Sequence, residues 1–121
     1  MVKILTVCRA GLVRSVALAN VIKLHFAPVD VLNCGVGEHQ LGRMNQLETL
    51  EMLFKWADKI VVMESHYLGK LPLAYQGKTV ICEVGPDRWN NPNHPELIGM
   101  VFDWMRKNKH LLEIEEHNLS L

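Results

Sequence analysis

The 121-residue sequence predicts a single α/β domain over residues 1–121: a four-stranded parallel sheet with helices on both faces. Strand-like and helix-like segments alternate four times along the chain. The third strand-like segment, Lys59-Ile60-Val61-Val62-Met63, is almost wholly apolar, as strands covered on both faces are. The length suffices for one packed core and not for two, and no linker, repeat or low-complexity tract divides it.

Residues 2–7 form the first strand and carry Cys8 to its carboxyl end. The first helix is read over residues 15–27, apolar on nearly every side through Val16, Leu18, Val21, Ile22, Leu24 and Phe26, and stopped by Pro28. Residues 29–32 form the second strand, which gives way at residues 33–37 to a loop marked by Gly35 and Gly37. Residues 38–44 read as loop. A second helix starts at Asn45, where Asn45 and Glu48 make a capping-box pattern, and Leu47, Leu50, Leu53, Phe54 and Ala57 supply its apolar stripe. After the third strand, Ser65 is placed as the cap of a short helix over residues 66–71, ended by Pro72. A turn at Gln76-Gly77 leads to a fourth strand at residues 79–82. Residues 83–93 are a loop rich in Gly, Pro and Asn; Pro95 then suits the first position of the last helix, capped by Asn93 or His94. Leu97, Ile98, Val101, Phe102 and Met105 give that helix its buried face, and residues 109–121 either extend it or fray.

Thirteen basic and thirteen acidic residues cancel, so neither a nucleic-acid nor a membrane partner is expected. The N-terminus turns polar too soon for a signal peptide. Three widely spaced cysteines, Cys8, Cys34 and Cys82, fit neither a disulfide framework nor a zinc site, and a reducing, cytoplasmic setting is expected. None of the six histidines pairs at metal-ligand spacing, so no metal and no cofactor are expected. Oligomeric state is not read from the sequence.

The chemistry concentrates in Cys8-Arg9-Ala10-Gly11-Leu12-Val13-Arg14-Ser15. A cysteine at a strand end, an arginine six positions on and a helix starting there make one compact cup. Curled round Cys8, the intervening backbone N–H groups form an anion-binding nest, and the helix adds its unpaired N–H groups and positive dipole end. Arg14 closes the cup with a planar fork suited to two phosphate oxygens. Such surroundings favour the thiolate of Cys8, a nucleophile facing a captured phosphate ester. In a parallel sheet, ligands sit beyond the carboxyl ends of the strands where strand order reverses. The loops starting at Asn33, Glu64 and Cys82 open at that same edge and are where partners of Cys8 are to be sought.

With these segments in place, the chain resembles the low-molecular-weight protein tyrosine phosphatase family, in its short, compact branch. The likeness runs over most of residues 2–108. It rests on the residue 8–15 loop, on Asn33-Cys34-Gly35, on Trp56-Ala57-Asp58-Lys59-Ile60-Val61-Val62-Met63-Glu64, and on Gly85-Pro86-Asp87-Arg88-Trp89 followed by His94-Pro95-Glu96-Leu97. The resemblance implies hydrolysis of phosphotyrosine in proteins, or of small aryl phosphates, with phosphate, sulfate or vanadate as ligands. It implies that Cys8 attacks phosphorus, Arg14 holds the equatorial oxygens, and Ser15 donates to the sulfur. It implies too that Asp87 protonates the leaving oxygen and then activates water, and that Trp89 lines the pocket wall, though a loop tryptophan is equally a core anchor. Glu64 and Glu83 stand at the same edge as rivals to Asp87, whereas Asp58 begins a strand at the opposite edge.

Three positions depart from the family. Gly11 stands where an asparagine is usual, so the turn is kept without a supporting side chain. Val13 stands where the family often has a second cysteine, leaving Cys34 as the substitute shield, though burial is its default. The segment between the second and third strands is short, so a specificity wall is in question. Arsenate reduction, with Cys34 and Cys82 in relay, is the alternative enzyme class. A phosphate-binding module without turnover is the non-enzymatic alternative.

Overall fold

The computed structural model describes residues 1–9, 12–36 and 44–116, with the side chains of residues 44–47 left aside. Its main sheet is the expected four-stranded parallel one. Strand β1 is Val2–Cys8, β3 is Val29–Gly35, β4 is Lys59–Val62 and β5 is Thr79–Ile81, laid out in the order β3-β1-β4-β5. Helix α1, Arg14–His25, carries the chain from β1 outward to β3, and it packs on β3 and on the last helix. Helix α2, Met44–Trp56, brings it back to the other side of β1. Right-handed crossovers in opposite directions put these two helices on opposite faces. Strand order therefore reverses at β1, whose carboxyl end holds Cys8.

The core follows from the apolar runs. Ile4, Leu5 and Val7 on β1 and Ile60, Val61 and Val62 on β4 are fully buried. Leu18 and Ile22 on α1 and Leu97, Val101 and Met105 on the last helix close over one face. Leu50, Phe54 and Ala57 bury the expected stripe around α2, while the capping box at Asn45 lies among side chains outside the description. The last helix, α4 (Pro95–Asn108), begins as expected: His94 caps it by accepting from the Glu96 N–H through Nδ1 at 3.2 Å.

Several local readings change. Helix α1 begins at Arg14 and ends at His25, because Phe26–Ala27 form a short strand, β2, antiparallel to Glu115–Glu116, β6. The tail first continues α4 as a 3-10 turn, Lys109–Leu112, and Arg106 then locks β6 with a forked ion pair to Glu116 at 3.0 and 2.9 Å. Strand β3 runs on through Asn33, Cys34 and Gly35, because pairing with β1 continues to the last rung, Cys8 with Gly35. Inter-strand hydrogen bonds outweigh the turn preference of Asn and Gly at that site. Residues Ser65–Lys70 wind as a 3-10 helix, and Ser65 does not cap it; its N–H donates to Glu83 Oε2 at 3.1 Å. A one-turn helix, α3 (Leu73–Gln76), follows Pro72. The fourth strand stops at Ile81, and the loop read over residues 38–44 lies, up to residue 43, outside the described residues.

Candidate active site

Cys8 stands at the switch point between β3 and β4, and its position is fixed from below. Thr6, two residues earlier on β1 and fully buried, donates from Oγ1 to the Ser15 carbonyl at 2.8 Å. That bond ties the first turn of α1 to the strand that delivers the cysteine. It brings Ser15 Oγ to 3.2 Å from Cys8 Sγ, hydrogen-bond distance for sulfur with both groups buried. Val13 holds the N-cap position without a side-chain hydrogen bond, and the first turn carries no acidic residue. The helix end facing Cys8 thus keeps its positive pole uncompensated by side chains. Arg9 and Leu12 are exposed, Leu12 at 69 %. Ala10 and Gly11, where the nest and the turn were expected, lie outside the described residues.

Arg14 is 1 % exposed, which is rare for a guanidinium and demands partners. Nη1 makes a 2.9 Å ion pair with Glu64 Oε1 and donates to the Gly85 carbonyl at 3.0 Å. Nη2 donates to the Tyr67 hydroxyl at 3.2 Å. Gly85 has φ +90°, a conformation that side chains other than glycine's strongly disfavour, and it aims this carbonyl at Arg14. Burial works to lower the Arg14 pKa, but the bonds to Tyr67 and Glu64 outweigh it and hold it above the ordinary value. Nε is buried and has no hydrogen-bond partner among the described residues.

The carboxylates sort by geometry. Glu64 is occupied with Arg14 and, through Oε2, with His66 Nε2 at 3.2 Å. Glu83 caps the backbone at Ser65. Asp58 accepts from the Lys3 N–H at 2.9 Å, at the other edge of the sheet. Asp87 is 39 % exposed in the loop above Cys8, with Oδ1 3.9 Å from Arg14 Nε. Trp89, expected from the resemblance on the pocket wall, is instead buried at 6 % exposure. Its Nε1 donates to Glu96 Oε1 at 3.1 Å and the Arg88 guanidinium stacks over its ring, so the indole anchors the loop to α4.

Two residues with direct parts in this arrangement escaped the sequence reading. Thr6 did leave a signal, as the lone polar residue between Leu5 and Val7 in a buried strand. Tyr67 left none; its hydroxyl meets Arg14 across a separation of 53 residues.

Cys34 pairs in register with Val7, not with Cys8, and none of the three cysteines is in a disulfide. Burial, with a smaller contribution from Cys8, pushes the Cys34 thiol from 9.0 up to about 12. Burial chiefly, then Glu83, pushes Cys82 up as well. Both are poor nucleophiles at neutral pH. A folded-state thiol pKa above the unfolded one means that the native chain holds the proton longer. Stability is then present below the unfolded value and is lost as pH rises toward the folded one, by up to about 1.4 kcal/mol per pH unit for each thiol. The melting temperature is expected to fall between about pH 9 and pH 11, and Cys34→Ala is expected to flatten that fall. An unchanged slope in the variant rules this out.

Among the described residues no group of His, Cys, Asp or Glu is arranged to hold a metal ion, and no helix is long and apolar enough to cross a membrane.

No family model matches the chain, and no curated protein does. Solved structures do. The tyrosine phosphatase AmsI from Erwinia amylovora superposes with a TM-score of 0.66 at 18% identity, covering 93% of this chain and 94% of that one. The low molecular weight protein tyrosine phosphatase SP-PTP from Streptococcus pyogenes gives 0.64 at 18% identity, over 88% and 93% of the two chains. The YwlE arginine phosphatase from Geobacillus stearothermophilus gives 0.54 at 18% identity, over 93% and 89%. The fold is that of the low-molecular-weight protein tyrosine phosphatases.

Proposed function

We propose that this chain is a cysteine-dependent phosphatase that hydrolyses phosphotyrosine, and small aryl phosphates as surrogates, through a phosphocysteine intermediate. The observation that carries the reading is the Arg14 guanidinium. It is buried and gripped on three sides, yet its Nε–H has no hydrogen-bond partner among the described residues, with Asp87 Oδ1 3.9 Å away. An orphaned buried donor costs about 1–3 kcal/mol, and an oxyanion beside Cys8 offsets that cost.

The phosphoryl group of the substrate lies against Cys8, its non-bridging oxygens taken by Arg14 and by the first turn of α1. Cys8 attacks phosphorus in line with the bond to the leaving oxygen, with Ser15 donating to the sulfur to hold it as thiolate. Asp87 gives its proton to the departing phenolate oxygen. It then takes a proton from the water that cleaves the phosphorus–sulfur bond, returning free thiolate and inorganic phosphate. Glu64 and Glu83 are engaged elsewhere, which supports Asp87 as the acid. The exposed Leu12, on the loop between Cys8 and Arg14, offers apolar surface for an aryl ring. The thiolate chemistry fits a reducing compartment such as the cytoplasm. The raised pKa values of Cys34 and Cys82 weigh against an arsenate relay, which draws on further thiolates.

The test is turnover of para-nitrophenyl phosphate, a phosphotyrosine peptide and phosphoarginine, in EDTA with fresh reductant. Hydrolysis of the first two, blocked by vanadate and indifferent to EDTA, is expected. Turnover of phosphoarginine alone transfers the reading to an arginine phosphatase, as in one structural relative. Loss of activity in EDTA overturns the metal-free mechanism. Arsenate-dependent oxidation of the reductant points to the reductase, and phosphate binding without any turnover to a recognition module.

A further inference from the structure

We infer that Tyr67 is a positioning residue for Arg14: its hydroxyl, together with the Glu64 carboxylate, clamps one edge of the guanidinium so that the other edge stays free for the substrate oxyanion. This rests on the phosphatase reading and extends it to a residue outside the phosphate loop. A guanidinium has five N–H groups in one plane. Both on Nη1 are spent, on Glu64 at 2.9 Å and on Gly85 at 3.0 Å, and one on Nη2 is spent on Tyr67 at 3.2 Å. Tyr67 on Nη2 and Glu64 on Nη1 also interact electrostatically with each other, which puts both on the end of the guanidinium that Nη1 and Nη2 share. The remaining Nη2–H then lies parallel to the Nε–H, which has no hydrogen bond among the described residues, and the two make the fork that matches two phosphate oxygens.

The contact runs through the hydroxyl, not the ring: the Arg14 guanidinium carbon is 6.0 Å from the ring centroid, at the limit of a cation–π interaction. Tyr67 remains a phenol, because burial and Glu64 raise its pKa against the pull of Arg14. It thus accepts from Nη2 and stands in the clamp without adding charge. The ring itself is buried in the 3-10 helix after β4, with the His66 imidazole 4.3 Å away and tilted against it. Replacing tyrosine by phenylalanine therefore removes the clamp and keeps the packing.

The experiment compares the native chain with Tyr67→Phe in kcat and KM for para-nitrophenyl phosphate, in inhibition by phosphate and vanadate, and in melting temperature. A loosened fork weakens both inhibitors and lowers kcat/KM by about tenfold to a hundredfold, the usual worth of a hydrogen bond to a charged group, while the melting temperature shifts by only a few degrees. Equal inhibition constants in an active variant overturn the clamp and leave the phosphatase reading intact. A native chain that neither hydrolyses aryl phosphate nor binds vanadate overturns both. If the phenylalanine variant does not fold, carbon-13 labelling of the tyrosine Cζ in the native chain serves instead. The Tyr67 signal is expected to shift with vanadate and to saturate with the same Kd as inhibition. No shift at saturation overturns the clamp.

Discussion

Cys8→Ser is expected to abolish turnover of aryl phosphates, by about 10³-fold or more, while the variant still binds phosphate. The substitution is nearly isosteric at a buried site, so folding is preserved. What it removes is a nucleophile that exists as an anion at working pH, since a serine hydroxyl stays protonated where a cysteine thiol ionises. Ser15, 3.2 Å away, cannot compensate, because a neutral serine hydroxyl is too weak a base to take a proton from a second hydroxyl. Rapid acid quench of the native enzyme with radiolabelled substrate is expected to trap label on Cys8, and none in the variant. Native-like turnover by Cys8→Ser would mean that water, and not sulfur, attacks phosphorus, and would remove the phosphocysteine from the mechanism.

How much of this was legible beforehand depended on the distance over which each feature is specified. The convergence of Cys8, Arg14 and Ser15 was legible because they lie within eight consecutive residues, and the flanking strand and helix follow from local periodicity. The parallel sheet was legible from apolar runs and alternation. What surrounds Arg14 was not. Glu64, Tyr67 and Gly85 reach it only once β4 and β5 have paired beside β1, so no local pattern marks them. The continuation of β3 through Gly35 has the same origin, since those residues become strand because β1 offers them partners as far as Cys8. For Trp89 the sequence left a pocket wall and a core anchor equally open, and its burial follows from a bond to Glu96 seven residues on. Strand β6, two glutamates with no strand propensity, exists because Phe26 and Ala27 are there to pair with it.

On the proposed mechanism Arg14 has a structural and a chemical role at once, and two substitutions separate them. Arg14→Lys is expected to lower kcat/KM by about 10³-fold, because an ammonium supplies charge but not the parallel donors that match two equatorial oxygens. It keeps a cation beside Glu64, so the melting temperature is expected to fall only modestly. Arg14→Leu removes the cation as well and leaves the largely buried Glu64 carboxylate without the guanidinium that balances its charge. Breaking a buried pair from one side costs about 3–5 kcal/mol, so this variant is expected to be unstable as well as inactive. Adding Glu64→Gln to Arg14→Leu removes the uncompensated charge, and most of the lost stability is expected to return without any return of activity. Thermal melts and turnover on the three proteins distinguish the roles. Near-native activity in Arg14→Lys would show that charge alone suffices and that the fork is not what holds the transition state. Failure of the double variant to regain stability would show that Arg14 supports the fold chiefly through Gly85 and Tyr67, with Glu64 a lesser partner.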